Sequence, residues 1–151
     1  MQAPANETAR HDAPQFTVLL VDDDEYMHEM MKLLLDKTEY ALLSAKSAKD
    51  AFEIIDRDPP DILITDAMMP GESGFSLIER IKSRTEYAAI PVILWTILEQ
   101  ADGSVMDASG KADILINKPF YRCDMMESLE RAKHMIKPRS IGNDVLLEVG
   151  R

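Results

Sequence analysis

The stretch FTVLLVDDDE, at positions 16–25, decides the fold. Its first six residues are apolar or β-forming without a polar alternation, and four acids end the run. Immediately after them Met27, Met30, Met31 and Leu34 recur at i, i+3, i+4 and i+7, one face of a helix. A short strand of this kind, buried on both faces and running straight into a helix, is the opening of a parallel βαβ unit. The same order continues downstream. YALLS at 40–44 reads as a second strand, and Ala48, Ala51, Phe52 and Ile55 give a helical stripe that Pro59-Pro60 must end. DILIT at 61–65 is a third strand closed by Asp66, with MMPGESG following as a loop and a helix from about 75 to 83 carrying Leu77, Ile78 and Ile81. IPVILW at 90–95 is a fourth strand closed by Thr96. A weaker helical stripe spans 98–108 (Leu98, Ala101, Val105, Ala108), interrupted by Gly103. ADILIN at 112–117 is a fifth strand closed by Lys118-Pro119. A last helix over about 121–136 offers Met125, Met126, Leu129 and Ile136 for packing. The fold class is therefore α/β, a five-stranded parallel sheet with helices on its faces.

Outside this pattern lie residues 1–15, polar and small and read as a flexible tail, and residues 138–151, a short C-terminal extension. Its DVLLEV segment suits an ordered role, as an added edge strand or a docking tail, about as well as disorder. Residues 16–137 form the one domain expected of 151 residues.

Composition narrows the function. Seventeen Lys+Arg against twenty-seven Asp+Glu leave a formal charge of −10, which argues against direct nucleic-acid binding. The lone cysteine, Cys123, allows no internal disulfide, and His11, His28 and His134 have no metal-ligand spacing. No apolar run reaches a membrane span, and the first residues lack the apolar core of a secretory signal, so the expected location is cytoplasmic.

In open parallel sheets ligands bind beyond the carboxyl ends of the strands. The polar residues closing strands one, three, four and five are Asp22-Asp23, Asp66, Thr96 and Lys118, and all face that edge. Several carboxylates in one crevice stay ionised only beside a compensating cation. Lys118 brings one positive charge. An oxygen-rich, histidine-poor donor set favours Mg2+, held directly by Asp23 and Asp66 with Asp22 holding a coordinated water. A carboxylate next to Mg2+ and a lysine is suited to nucleophilic attack on a phosphoryl group. The Thr96 hydroxyl and backbone N–H groups of the loop after Asp66 are placed to bind phosphoryl oxygens. Asp66 is the expected nucleophile, because it stands alone at a central strand end and leads into a loop with a proline and two glycines.

These residues resemble the receiver domain of two-component response regulators. The matching pieces are VDDD at 21–24, DAMMPGESG at 66–74, PVILWT at 91–96 and NKPF at 117–120, separated by thirty residues from Asp66 to Thr96 and twenty-two from Thr96 to Lys118. The resemblance implies a doubly wound, CheY-like fold with strand order 2-1-3-4-5. It implies Asp66 as phosphoacceptor from a phosphohistidine of a sensor histidine kinase or a histidine phosphotransfer protein, and Mg2+ on Asp22, Asp23, Asp66 and the backbone carbonyl of Met68. It further implies a Thr96 that swings toward the phosphoryl group, a Lys118 that pairs with it, and a cis peptide before Pro119. Such a chain is a signalling protein rather than an enzyme, with at most self-phosphotransfer and autodephosphorylation. It would act on an unknown downstream protein, and possibly as a homodimer, through the helix after Thr96, the fifth strand and the last helix. Three positions depart from the family pattern. Leu115 stands where an aromatic usually couples to the threonine, Ile97 where a small residue usually follows it, and Lys111 where a glycine usually precedes the fifth strand. The departures bear on the switch and the lifetime of the phosphate.

Two other classes fit the same residues less well. One is a pseudo-receiver that binds partners without phosphorylation. The other is a Mg2+-dependent phosphohydrolase, which would need a further acid/base group and a different first-strand motif. With no room for an output domain, the chain would be a single-domain regulator, a phosphorelay shuttle or the receiver of a longer protein. Among the remaining residues, Asp24 is expected to cap the first helix. His28, off the Met27/Met30/Met31/Leu34 stripe, is expected to be exposed or to face a partner. Cys123 is expected to pack, Trp95 to be buried against a helix, and Met69 to be available to a kinase.

Overall fold

The computed structural model describes residues 13–97, 112–118 and 120–136. These contain β1 (Phe16–Val21), α1 (Glu25–Leu35), β2 (Tyr40–Ala45), α2 (Ala48–Arg57), β3 (Ile62–Asp66), α3 (Gly74–Lys82), β4 (Val92–Thr96), β5 (Ile114–Asn117) and α4 (Arg122–Met135). The strands form one parallel sheet in the order β2-β1-β3-β4-β5. The helical stripe expected over 98–108, Lys111, Pro119 and most of the two terminal segments lie outside the described residues.

The helices start where the sequence offers caps. The Asp24 side chain accepts from Tyr26 N–H, Ser47 from Asp50 N–H and Ser73 from Ser76 N–H, each satisfying one orphan donor of a first turn, worth about 1 kcal/mol. Helix α2 stops at Arg57, just ahead of Pro59-Pro60.

The strands then divide the core into two layers. Leu19, Val21, Leu63, Val92 and Leu94 face α2 and α3, where Phe52, Ile55, Leu77, Ile78 and Ile81 meet them. Val18, Leu20, Ile62, Ile64, Ile93 and Trp95 face the other way, onto Met31, Leu34 and Leu35 of α1 and Met125 and Leu129 of α4. Alternate residues of one strand therefore serve opposite layers, and because both layers are apolar the strands read as unbroken hydrophobic runs. This holds for β3 and β4, where every residue is buried, and for the inner part of β1. It fails at the edge, where β5 alternates buried Ile114 and Ile116 with exposed Leu115 and Asn117. Among the described residues β5 is packed on one face only, in the layer that contains Met125 and Leu129 of α4, so two-sided burial does not extend to it.

With α1 and α4 on one face and α2 and α3 on the other, the chain reverses its winding between β1 and β3. The crevice beyond their carboxyl ends is the topological switch point of the sheet. Val21 lies opposite Thr65, so the residues that follow, Asp22 and Asp66, reach that crevice at the same level.

Candidate functional site

Four strand ends build the site. Asp22 follows β1, Asp66 is the last residue of β3, and Thr96 is the last of β4, one place beyond Trp95, which is in register with Asp66. Thr96 in turn lies opposite Asn117 at the end of β5, which places Lys118 beside the crevice. The Lys118 N–H donates to the Thr96 carbonyl at 2.8 Å, carrying the ladder one step past β5.

The side chains converge as the spacing predicts. Carboxylate oxygens of Asp22, Asp23 and Asp66 all lie within 4.8 Å of one another. The Lys118 ammonium sits 3.3 Å from Asp22 Oδ2 and 3.4 Å from Asp66 Oδ2, bridging the two. It also lies 5.1 Å from the centroid of the Trp95 ring, a cation–π contact beneath the charge pair. Asp22 is fully buried, Asp66 is 8% exposed, Thr96 is buried and Asp23 is exposed. The site is thus a partly dry pocket with one acid at its mouth.

Burial pushes the Asp66 carboxyl above the usual carboxylate range. The Lys118 charge pulls it back, the Asp22 charge adds to the rise, and a hydrogen bond from Met68 N–H to Asp66 Oδ1 opposes it. A second positive charge at this point would relieve both the burial and the repulsion. The donor set is all oxygen, which fits a hard divalent cation such as Mg2+.

The loop after β3 is held against the site by a close approach. Gly74 N–H donates to the Ala67 carbonyl at 2.9 Å, and a Cβ at Gly74 would stand 1.9 Å from the Asp66 carbonyl oxygen. Only glycine fits there, and the GESG loop carries that signal without showing which of its glycines matters. Gly71, by contrast, is glycine for its backbone, with φ of 81° and open space around it.

Several residues lie elsewhere than expected. His28 is 4% exposed rather than on the surface, and its Nε2 lies 2.7 Å from the Asp22 carbonyl oxygen. The buried face of α1 is His28, Met31, Leu34 and Leu35, while Met27 and Met30 are only half-buried. Counting back three from Met31 and seven from Leu35 reaches His28, but a search for apolar residues alone passes over it. Met69 packs into the core, and it is Met68 that is exposed. Cys123 is exposed instead of packed. Trp95 is buried, with its ring stacked on Phe120 at 5.2 Å and in the layer that contains Met125 and Leu129 of α4. Asp24 caps α1. Ile97 and Leu115, two of the departures from the family pattern, are both exposed.

Known proteins are similar to this chain in sequence and in fold. Residues 18–130 match the family model described as response regulator receiver domain. The phosphate regulon transcriptional regulatory protein PhoB of Pseudomonas aeruginosa is 31% identical over 134 residues, covering 89% of this chain and 58% of its own length. The response regulator GtcR of Aneurinibacillus migulanus is 34% identical over 104 residues, covering 69% of this chain and 42% of its own. The chain spans about half the length of the curated relatives it matches. Among solved structures, the signal receiver domain of a signal transduction histidine kinase from Syntrophus aciditrophicus superposes with a TM-score of 0.75 at 28% identity, covering 83% of this chain and 95% of that one. The receiver domain of a sensor histidine kinase from Pseudomonas aeruginosa PAO1 shares the fold with a TM-score of 0.71 at 21% identity, over 79% and 98% of the two chains, and its structure has a magnesium ion coordinated in the active site cleft.

Proposed function

The chain belongs to the response regulator receiver domain family of two-component signalling, and from that membership we propose that Asp66 is its phosphoacceptor. The observation that carries the reading is the convergence of three carboxylates within 4.8 Å, with Lys118 on two of them.

The donor is a phosphohistidine on a sensor histidine kinase or a histidine phosphotransfer protein. An Asp66 carboxylate oxygen attacks phosphorus; the P–O bond forms as the P–N bond breaks, and the donor imidazole leaves with the electron pair of that bond. Asp22, Asp23, Asp66 and the Met68 carbonyl would hold Mg2+, which would supply positive charge to the transferring oxygens. Lys118, bridging Asp22 and Asp66 before transfer, follows the new negative charge onto a phosphoryl oxygen. The Thr96 hydroxyl takes another, and the Met68 N–H, already directed at Asp66 Oδ1, stands beside a third. The receiver unit spans residues 16–137. Its signal is a change in protein contacts around β5 and α4, read by a downstream protein or by a second copy, in the cytoplasm. Among the described residues no helix is long and apolar enough to cross a membrane.

The test is intact-mass analysis after incubation with Mg2+ and acetyl phosphate or phosphoramidate. The expected result is the gain of one phosphoryl group, absent without Mg2+ and absent in Asp66→Asn. No gain under conditions that label another receiver would leave a binding module without phosphorylation. Continued turnover of a small phosphomonoester would instead favour a phosphohydrolase.

A further inference from the structure

We propose that His28 is a positioning residue for the acidic pair: its Nε2–H holds the Asp22 carbonyl against α1 and so sets how the Asp23 carboxylate is presented to a divalent cation. The inference rests on the reading of Asp22, Asp23 and Asp66 as a Mg2+ site.

A carbonyl oxygen only accepts hydrogen bonds, so in the 2.7 Å contact Nε2 of His28 carries the proton. Its other ring nitrogen, Nδ1, is buried without a hydrogen-bond partner among the described residues. Leaving a buried polar atom unpaired costs about 1–3 kcal/mol. An apolar side chain beside Met31 and Leu35 would fill the same space without that cost. The imidazole is therefore a poor choice for packing alone, and what it adds is the bond to Asp22.

That bond acts at the point where the site lacks other support. The remaining polar atoms of Asp22 are tied down: its N–H donates to the Ala45 carbonyl, its Oδ1 accepts from Asp24 N–H at 2.9 Å, and its Oδ2 faces Lys118. The Asp22 carbonyl begins the peptide that carries Asp23. In a trans peptide the carbonyl and the next N–H point in opposite directions, so fixing one fixes the plane. Asp23 is exposed, and holding that plane narrows the directions open to its side chain. A ligand held from behind in this way is orientated before the ion arrives. Loss of such outer support at metal sites costs roughly 10–100-fold in affinity.

The test compares four full-length, unphosphorylated chains by calorimetric titration with Mg2+: wild type, His28→Phe, His28→Gln and Met31→Ala. Phenylalanine keeps the ring and loses the donor. Glutamine restores an N–H near the Nε2 position. Met31→Ala destabilises the same buried face of α1 without touching Asp22. The expected result is Mg2+ affinity at least about tenfold weaker in His28→Phe, largely recovered in His28→Gln and close to wild type in Met31→Ala. Long-range 15N–1H correlation of the metal-free wild type should report the Nε2–H tautomer of His28. Wild-type affinity retained in His28→Phe overturns the proposal, as does an equal loss in Met31→Ala. An Nδ1–H tautomer overturns it too, and this measurement decides even where His28→Phe fails to fold. A wild-type chain that binds no Mg2+ overturns the Mg2+ reading and the proposal with it.

Discussion

At the scale of single residues, Asp66, the proposed phosphoacceptor, is an acid kept at some cost to stability. Its carboxyl is pushed up by burial and by Asp22, with Lys118 and the Met68 N–H compensating only in part. The folded chain therefore holds this proton to a higher pH than the unfolded chain does. Ionising Asp66 costs no stability well below the usual carboxylate range, and the penalty grows as pH rises through the folded value, being complete at neutral pH. Asp66→Asn removes the charge and nearly keeps the shape. The metal-free variant should melt above wild type at pH 7, and the gain should vanish near pH 3. Adding Mg2+ should reverse the order at pH 7, because the ion stabilises only a chain that can bind it. Thermal melts of both proteins, with and without Mg2+ at several pH values, check this; a metal-free variant less stable than wild type at pH 7 would contradict it. The residues of this site were legible in the sequence because chemistry had restricted them to acids, a threonine and a lysine at strand ends. His28 was not, because its role comes from a backbone carbonyl, and no side-chain pattern announces that.

At the scale of elements, the inner strands could be read directly: β1 keeps its limits, and those of β3 and β4 shift by a residue or two. Asp66 belongs to β3 instead of following it, since the residue that closes the strand still makes the ladder: Ala67 N–H donates to the Trp95 carbonyl at 3.1 Å. The edge strand β5 was read less well, because its apolar residues include one, Leu115, that solvent reaches. The loop between β3 and α3 joins the site to the helix behind it, and its two glycines serve different ends. Gly74→Ala drives a methyl group onto the Asp66 carbonyl, where the nearest atoms are backbone and cannot rotate away. Gly71→Ala meets no atom within 4 Å and carries only the strain of a positive φ, about 1–2 kcal/mol. Urea unfolding should find Gly74→Ala the more damaging of the two, by more than about 1 kcal/mol. Only Gly74→Ala should also slow labelling of Asp66 at saturating Mg2+. Equal effects of the two substitutions on labelling would mean that the loop does not hold Asp66 through this contact.

At the scale of the molecule, the sheet separates two tasks. The strand order and the placing of α1 and α4 opposite α2 and α3 put every group of the site at one end. The order itself came from family resemblance, since strand and helix sequence alone does not say where the winding reverses. The opposite end joins the last helix to the sheet. Lys133 of α4 lies 2.8 Å from the Glu39 carboxylate and 5.7 Å from the Phe16 ring centroid, and Phe16 packs on Tyr40 with centroids 6.0 Å apart. Tyr40, 5% exposed, has its hydroxyl pushed up to about 12 by burial and by the neighbouring Glu39 charge, with Lys133 opposing. Here the unfolded chain ionises first. Stability is thus present below pH 10 and is lost as pH rises from 10 toward about 12. One pH unit of that interval corresponds to about 1.4 kcal/mol at most. Tyr40→Phe lacks the ionising group, so the stability of wild type relative to the variant should fall by about 1 kcal/mol between pH 9 and pH 11. Denaturant titrations at these pH values measure the difference. Mg2+ affinity at pH 7 should be the same in both chains, because Tyr40 begins β2, at the end of the sheet opposite the site. A variant that altered Mg2+ binding would show that the two ends are coupled through the sheet, contrary to the separation argued here.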